Sequence, residues 1–473
     1  MRLCILGGGG FRVPLIHRAL LRGRFAGLVE DLVLHDVDAV RLAGIGAVLA
    51  EQERTRQGAG PVPVVTTTTD LRAALTGADV VFAALRPGGT HGRVLDERIA
   101  MAHGLLGQET VGAGGLSYAL RSVPVMRQIA STLSEVNPHA WLIDFTNPAG
   151  IVTEALVPLL GERVIGICDS PIGLVRRAAT AAGLHHLARP AAGGSLAGVD
   201  YLGLNHLGWL RGLRDTGSGN TDGAADTDGA RDRLPALLAD PERLFSFEEG
   251  RIFGPELLGV LGAVPNEYLF YYYFAREAVT ALAGSRQTRG ETIEAAQRDL
   301  YPGLATAPDP AGRWEAARRA REDGYLTEAR PDGQQRDAAD VAGGGYEQVA
   351  LAAMSAVLTD RPEELIVNVR NDAAGRLAVT GLPADAVVEV PCRVDGRGAV
   401  PLHIGRTPSL HQLGLLTAVK AVERETVTAV TERDRDAALR AFALHPLVDS
   451  AHVARRVLAD YEQAFPALSR LWA

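Results

Sequence analysis

Lysine is almost missing from this chain. Lys420 stands alone in 473 residues, although Lys and Arg together number 48. Arginine carries the remaining basic charge, a bias read here as genome composition rather than chemistry. Basic charge in excess is missing too. Acidic residues number 56 and the net charge is −8, a balance that argues against a nucleic-acid binder. Cysteine is scarce. Cys4, Cys168 and Cys392 are odd in number and far apart, which excludes a disulfide framework and suits a reducing compartment. No apolar run approaches the length of a membrane span. The opening MRLCILGGGG has no apolar stretch behind a basic start, so no secretory leader is expected. No internal repeat is visible. The expectation is a cytoplasmic protein without nucleic-acid or membrane partners.

What the chain does contain is an alternation of short apolar runs and helix-length segments. Runs ending in turn residues lie at 2–6, 32–36, 78–85, 140–148 and 163–169, with helical segments such as 39–54 and 117–136 between them. Such alternation predicts a parallel sheet wound on both faces. The stretch 199–213 reads as a further strand. The second half is mostly helical by pattern, at 266–282, 290–300, 345–358, 409–432 and 434–462, with a β-rich piece at 364–394. Two polar, glycine-rich tracts, 214–232 and 329–345, read as loops. The fold class expected is α/β: a Rossmann-type doubly wound parallel sheet followed by a mixed α+β domain of the kind found in lactate and malate dehydrogenases. The boundary is placed between 195 and 196. Residues 1–195 would bind NAD, and 196–473 would bind substrate and metal and carry the oligomer contacts.

The stretch ILGGGGFRVP follows the first strand. Gly7, Gly8, Gly9, Gly10 and Phe11 would let a pyrophosphate approach backbone N–H groups at a helix N-terminus. Asp36, ending the second strand, stands where a ribose-binding acid belongs, and its charge favours NAD over NADP. The third glycine of G-x-G-x-x-G is absent, because Arg12 or Val13 holds its place.

Further along, VIGICDSPIGL puts Cys168 directly before Asp169 at the end of an apolar run. His206 ends another apolar run 38 residues beyond Cys168. Strand ends of a doubly wound sheet face the ligand crevice. A thiolate and an imidazole there can hold one divalent cation and leave positions for substrate oxygens. A buried core cysteine and a satisfied histidine are the commoner reading of such a pair. Asp169 suits a proton donor, and equally an N-cap for the helix that Asp-Ser-Pro announces. Asn147 in FTNP, Asn205 in LNH, Glu109 in GQET and Arg86 in LRPGG divide evenly between ligand contact and structural hydrogen bonding. Arg286 and Arg289, in GSRQTRGE, form a cation pair at a helix start, which suits an arriving anion; a solvated arginine face is the alternative.

Five stretches occur in a fixed order: FAALRPGGTHGRVLDERIAMAHGLLGQETVGAGGL, DFTNPAGIVTEAL, ICDSPIGL, YLGLNHLGWL and VPNEYLFYYY. With VEVPC at 388–392 they resemble glycoside hydrolase family 4, the NAD- and divalent-metal-dependent glycosidases, from residue 2 to about 460. The resemblance implies that Cys168 and His206 are the ligands of a divalent metal, usually Mn2+. It implies that Tyr268, after VPN, is the base and Asp169 the acid. It favours ligand contact for Arg86 on the cofactor side, and for Arg93, Glu109, Asn147, Asn205, Arg286 and Arg289 on the substrate side. Tyr271, Tyr272 and Tyr273 are left as packing residues.

The implied reaction is a redox cycle. C3 of the sugar is oxidised by NAD+, the acidified C2 proton is removed, the aglycone is eliminated from C1, water adds back, and C3 is reduced again. The net result is hydrolysis. A Cys-Asp pair resembles the 6-phospho-α-glucosidase pattern, whereas β-type members usually carry Cys-Asn. The text around DFTNPAGIVTEAL and GLNHLGWL resembles the β-type members. Members acting on unphosphorylated sugars usually have His after the Cys. The expected activity is therefore 6-phospho-β-glucosidase, with 6-phospho-α-glucosidase as the alternative and a lactate/malate-type dehydrogenase behind it. The implied partners are a small phosphorylated glycoside and further copies of the chain, in a homodimer or homotetramer.

Overall fold

The computed structural model describes the chain except for residues 58–59, 189–194, 216–230, 325–326, 330–344 and 473. The expected loops at 214–232 and 329–345 therefore fall almost wholly outside the described residues.

The chain forms two compact units, and neither is a continuous stretch of sequence. The first comprises Met1–Gly166, Val279–Tyr325 and Val422–Ala473, and the second Ile167–Ala278 and Leu326–Ala421. A division between residues 195 and 196 follows chain order; the compact units follow contacts. The C-terminal helices bury Val422, Phe442, Leu458 and Tyr461 in the same apolar core as Cys4, Val81 and Leu142. The Tyr461 hydroxyl donates to the Asp96 carbonyl at 2.7 Å.

Six strands make the first unit's sheet: β1 Arg2–Leu6, β2 Asp31–His35, β3 Val64–Thr68, β4 Val80–Ala83, β5 Trp141–Asp144 and β6 Val164–Ile167. Their order is β3-β2-β1-β4-β5-β6, and every pairing among them is parallel. This is the strand order of a Rossmann sheet, whose direction of winding reverses between β1 and β4 and opens a crevice there. The near-continuous burial of β1, β2, β4 and β6 is what a sheet covered on both faces requires. The pattern reading missed β3. Its sequence VVTTT is mostly exposed, as an edge strand can be, and carries no apolar run to detect.

The second unit holds β7 Val199–Leu204, β8 Leu207–Leu213, β9 Val264–Pro265, β10 Glu363–Arg370, β11 Val387–Asp395 and β12 Gly398–Pro401. They run β10-β11-β7-β8-β9, with β12 beside β11, and their pairings are antiparallel. The single strand expected at 199–213 is a hairpin, with Leu204 opposite Leu207 and two residues between them. The helix expected at 266–282 is a short 3-10 turn, Glu267–Leu269, followed by helices Phe270–Tyr273 and Ala275–Gly284. Among the described residues no helix is long and apolar enough to cross a membrane.

Asp144 ends β5 with its side chain fully buried. It accepts from the Thr146 N–H at 3.0 Å and the Thr153 hydroxyl at 3.3 Å. Burial outweighs these bonds and pushes its carboxyl up to about 8. An unfolded aspartate ionises near 4, so the native state holds a proton that the unfolded chain releases between about pH 4 and pH 8. Rising pH across that window therefore destabilises the native state at this site. Asp144→Asn removes the titration. Its melting temperature relative to the parent should rise from pH 5 to pH 8 by about 2 °C or more; a constant difference in paired thermal melts would refute the assignment.

Candidate functional site

Two sets of side chains stand out, one in each unit. In the first unit, β1 runs into Gly7–Gly10 at the β1/β4 switch point. The Gly7 and Gly8 N–H groups donate to the His35 carbonyl at 2.9 and 2.7 Å. Gly7 has φ +83°, and a Cβ there would collide with the Ala84 carbonyl at the end of β4. A Cβ on Gly9 would lie 2.6 Å from that of Arg41. The loop is thus tight on its protein side, and this explains why glycine persists even without the full fingerprint. Asp36, half-buried just past β2, accepts from the Gly9 N–H at 3.1 Å. Tyr301 donates to the Gly9 carbonyl at 2.9 Å, and Trp314 donates to the Phe11 carbonyl at 2.8 Å. These two braces come from nearly three hundred residues away and carry no local sequence signal. Helix Val13–Leu20 starts immediately after, with proline in its first turn. A half-buried acid past β2, a glycine turn and a helix start together fit a dinucleotide.

The same unit gathers arginines. Arg93 pairs with Glu109 at 2.6 Å and with Glu97 at 2.7 Å. Arg86 pairs with the other oxygen of Glu109 and lies over the Tyr118 ring, 4.4 Å from its centre. Glu97 also accepts from the Gly290 N–H at 2.8 Å. Burial alone would push Glu109 up, but Arg86, Arg93, Arg321 and Arg289 together hold its carboxyl down at about 2. Arg321 shows the opposite imbalance. Burial, then the charges of Arg12, Arg93 and Arg289, lower it to about 9. Guanidinium groups crowded this closely disfavour one another until an anion arrives. Arg289 belongs to this cluster, and its guanidinium donates to the carbonyls of Gly324 and Arg321. Arg286 is exposed and contributes its carbonyl to Arg98. Asn147 lies half-buried in the loop after β5. Arg12 and Arg321 were not singled out from sequence, since one arginine among many carries no signal until the fold clusters it.

In the second unit the residues are linked in a chain of contacts. Cys168 follows the last residue of β6 and is buried, 6% exposed. Asp169 takes the N-cap position of helix Ser170–Ala181, yet its side chain caps no N–H of that helix. The Ser170 hydroxyl accepts from Asn266 Nδ2 at 2.5 Å, and Asn266 Oδ1 accepts from the Tyr268 N–H at 3.1 Å. The Tyr268 ring stacks on the His206 imidazole, with centres 3.9 Å apart and planes 18° from parallel. His206 and Asn205 are the two turn residues between β7 and β8. His206 has φ +63°, a left-handed conformation that costs a side-chain-bearing residue about 1–2 kcal/mol. Asn205 Nδ2 donates to Glu389 Oε1 at 3.2 Å.

Burial first, then the charges of Glu389, Asp169 and Glu267, push the Cys168 thiol well up, against the Ser170 N–H. Glu267, directly before Tyr268, is itself raised to about 7 by burial and by Glu249, with Arg177 opposing. Among the described residues no three His, Cys, Asp or Glu side chains form a metal cluster, so a cation here would rest on two protein ligands and bind further oxygens from elsewhere. The site fits such a group: it offers a sulfur, an imidazole and surrounding carboxylates, and the buried Asn205 Oδ1 has no hydrogen-bond partner. Tyr271 and Tyr273 are packing residues, bonded to Glu328 and to Trp209 and His411. Glu389 escaped the sequence reading. Its one signal was an acid inside a strand buried almost throughout.

Comparison with known proteins covers nearly the whole chain. The Family 4 glycosyl hydrolase model matches residues 2–184, and the Family 4 glycosyl hydrolase C-terminal domain matches 201–448. A probable 6-phospho-beta-glucosidase of Bacillus subtilis is 29% identical over 99% of this chain and 97% of its own length. The 6-phospho-alpha-glucosidase 1 of Lacticaseibacillus paracasei is also 29% identical, over 96% and 95%. Among solved structures, the 6-phospho-beta glucosidase of Thermotoga maritima with manganese, NAD+ and glucose-6-phosphate aligns with a TM-score of 0.76, at 25% identity and 99% coverage of both chains. A 6-phospho-alpha-glucosidase from gut microorganisms with NAD and Mn2+ aligns at 0.75, at 25% identity, over 98% of this chain and 97% of that one. The glycine loop lies within the first matched region and the turn carrying His206 within the second, and with both regions matched in order this chain belongs to glycosyl hydrolase family 4 and is a glycoside hydrolase.

Proposed function

We propose that this chain hydrolyses 6-phosphoglucosides, the β-anomer first, by an NAD- and divalent-metal-dependent cycle of oxidation, elimination, addition and reduction. The observation that carries the reading is the stack of Tyr268 on His206, joined through Asn266 to Ser170, the residue two beyond Cys168. It is supported by relatives whose solved complexes hold manganese, NAD+ and glucose-6-phosphate.

When bound, NAD+ supplies reversible oxidation at C3 of the sugar, and a divalent cation supplies a Lewis acid for the neighbouring oxygens. The chain's own residues do the rest. The tight Gly7–Gly10 turn, the helix start that follows it and Asp36 hold the dinucleotide. Cys168 and His206 hold the cation, and Asn205 Oδ1 accepts from a sugar hydroxyl. The Tyr268 oxygen takes the proton from C2. The C1–O bond then breaks with its electron pair passing to the aglycone oxygen, and Asp169 protonates that oxygen. In the return, water adds at C1 and gives one proton back to Asp169, and Tyr268 returns its proton to C2. The cofactor ends as it began. Arg93 and Arg289 hold the 6-phosphate, whose two charges answer the crowding of guanidinium groups in the first unit. The α-anomer is the second reading. Its support is the Cys168-Asp169 pair and the equal identity to an α-type relative.

Nitrophenol release from paired α- and β-6-phosphoglucosides, with NAD+ and Mn2+ present, tests the reading. Turnover of the β-substrate without accumulation of NADH is expected. Stoichiometric NADH with no nitrophenol would identify a dehydrogenase instead. Cys168→Ser should weaken Mn2+ binding by more than about 100-fold, beyond what loss of a supporting residue costs, while NAD+ titrations stay unchanged. Undiminished turnover in EDTA would remove the metal from the proposal. Arg289→Gln should raise KM for the phosphorylated substrate about 10- to 100-fold, the worth of one charge-assisted hydrogen bond, with kcat little changed. Equal KM values would place the phosphate elsewhere.

A further inference from the structure

We propose that Glu389 is a positioning residue that sets cation affinity by holding the Asn205-His206 turn and fixing which end of the Asn205 amide faces the ligand. The inference rests on the reading of Cys168 and His206 as cation ligands.

Glu389 lies on β11, wholly buried, and in register with Gly203 of β7, two residues before Asn205. Donors from β7, β10 and the turn converge on it. Asn205 Nδ2 and Asn368 Nδ2 both reach Oε1 at 3.2 Å, and the Tyr201 hydroxyl reaches Oε2 at 3.0 Å. Tyr201 and Asn368 are themselves buried, on β7 and β10, so the carboxylate is anchored from two strands and touches the turn through a third contact. An ionised carboxylate only accepts hydrogen bonds. Asn205 must therefore send its NH2 group to Glu389, and its Oδ1 is left buried without a hydrogen-bond partner. An open acceptor beside His206 suits a cation's hydration shell or a sugar hydroxyl. The same bond ties down a turn whose second residue holds φ +63°, a conformation that relaxes unless its surroundings enforce it. A carboxylate buried this fully adds attraction for a divalent ion in a region where water screens little.

The test is Mn2+ binding to the full chain, followed by loss of the free Mn2+ paramagnetic resonance signal, with NAD+ titration and thermal melting in parallel. Glu389→Gln keeps the shape but can also donate, so the Asn205 amide is free to turn over. Mn2+ should bind about tenfold more weakly, with NAD+ affinity unchanged, and Glu389→Asp should restore part of the loss. Tyr201→Phe removes one anchor without touching Asn205 and should shift Mn2+ affinity less than threefold, well inside the tenfold loss. Equal affinity for parent and Glu389→Gln overturns the inference, as does an equal loss in Tyr201→Phe, which would mark Glu389 as packing. Should Glu389→Gln not fold, Asn205→Ala removes the amide that Glu389 turns and is expected to weaken Mn2+ about tenfold; an unchanged affinity would overturn the inference. A parent chain that binds no Mn2+ would refute the cation-site reading itself, and this inference with it.

Discussion

The second unit depends on a two-residue turn that has to pass through a left-handed histidine. The turns favoured in a hairpin this short put one or both central residues at positive φ, a conformation glycine adopts most readily. Here His206 does, at the energetic cost of its Cβ, and three contacts keep it there. The Tyr268 ring covers one face of the imidazole, Asn205 is tied to Glu389, and the strands on either side pair in register up to Leu204 and Leu207. Strain of this kind persists only where its surroundings over-determine it, and such places tend to be functional. Because Tyr268 hangs from Asn266, and Asn266 from Ser170 beside Cys168, fixing the turn also fixes the tyrosine relative to the helix that begins after the cysteine.

The first unit shows the complementary design. Its glycine loop is packed from behind by Arg41, Ala84, Tyr301 and Trp314, so its backbone is held still before any ligand arrives. Its arginines are crowded around Glu109, which is held ionised far below the ordinary carboxylate range. A carboxylate kept charged among several guanidinium groups orders them without cancelling them. One unit thus concentrates positive charge and the other buries negative charge around a thiol, and each arrangement selects a ligand of opposite sign.

Much of this was legible in the chain. The glycine loop, Asp36 and the Cys168-Asp169 pair stand at the ends of apolar runs, where a doubly wound sheet places its ligand groups, whereas His206, expected at such an end, lies in the turn of an antiparallel hairpin. The helices at 266–282 and the strand at 199–213 were misread in detail. A turn residue such as His206 has no sequence mark of positive φ when it is not glycine, and the apolar residues on both sides of it continue the strand pattern. The edge strand β3 lacks the apolar run by which strands are found.

The amino-acid sequence alone determined the kind of sheet and the chemical types of the residues at its strand ends, because burial periodicity and glycine placement are local properties. Only the tertiary structure decided that the C-terminal helices complete the core of the first unit, that Arg289 and not Arg286 joins the arginine cluster, and that Glu389 reaches the turn holding His206. Those outcomes turn on contacts between residues scores to hundreds of positions apart, and side-chain direction at such distances is set by packing rather than by spacing in the chain.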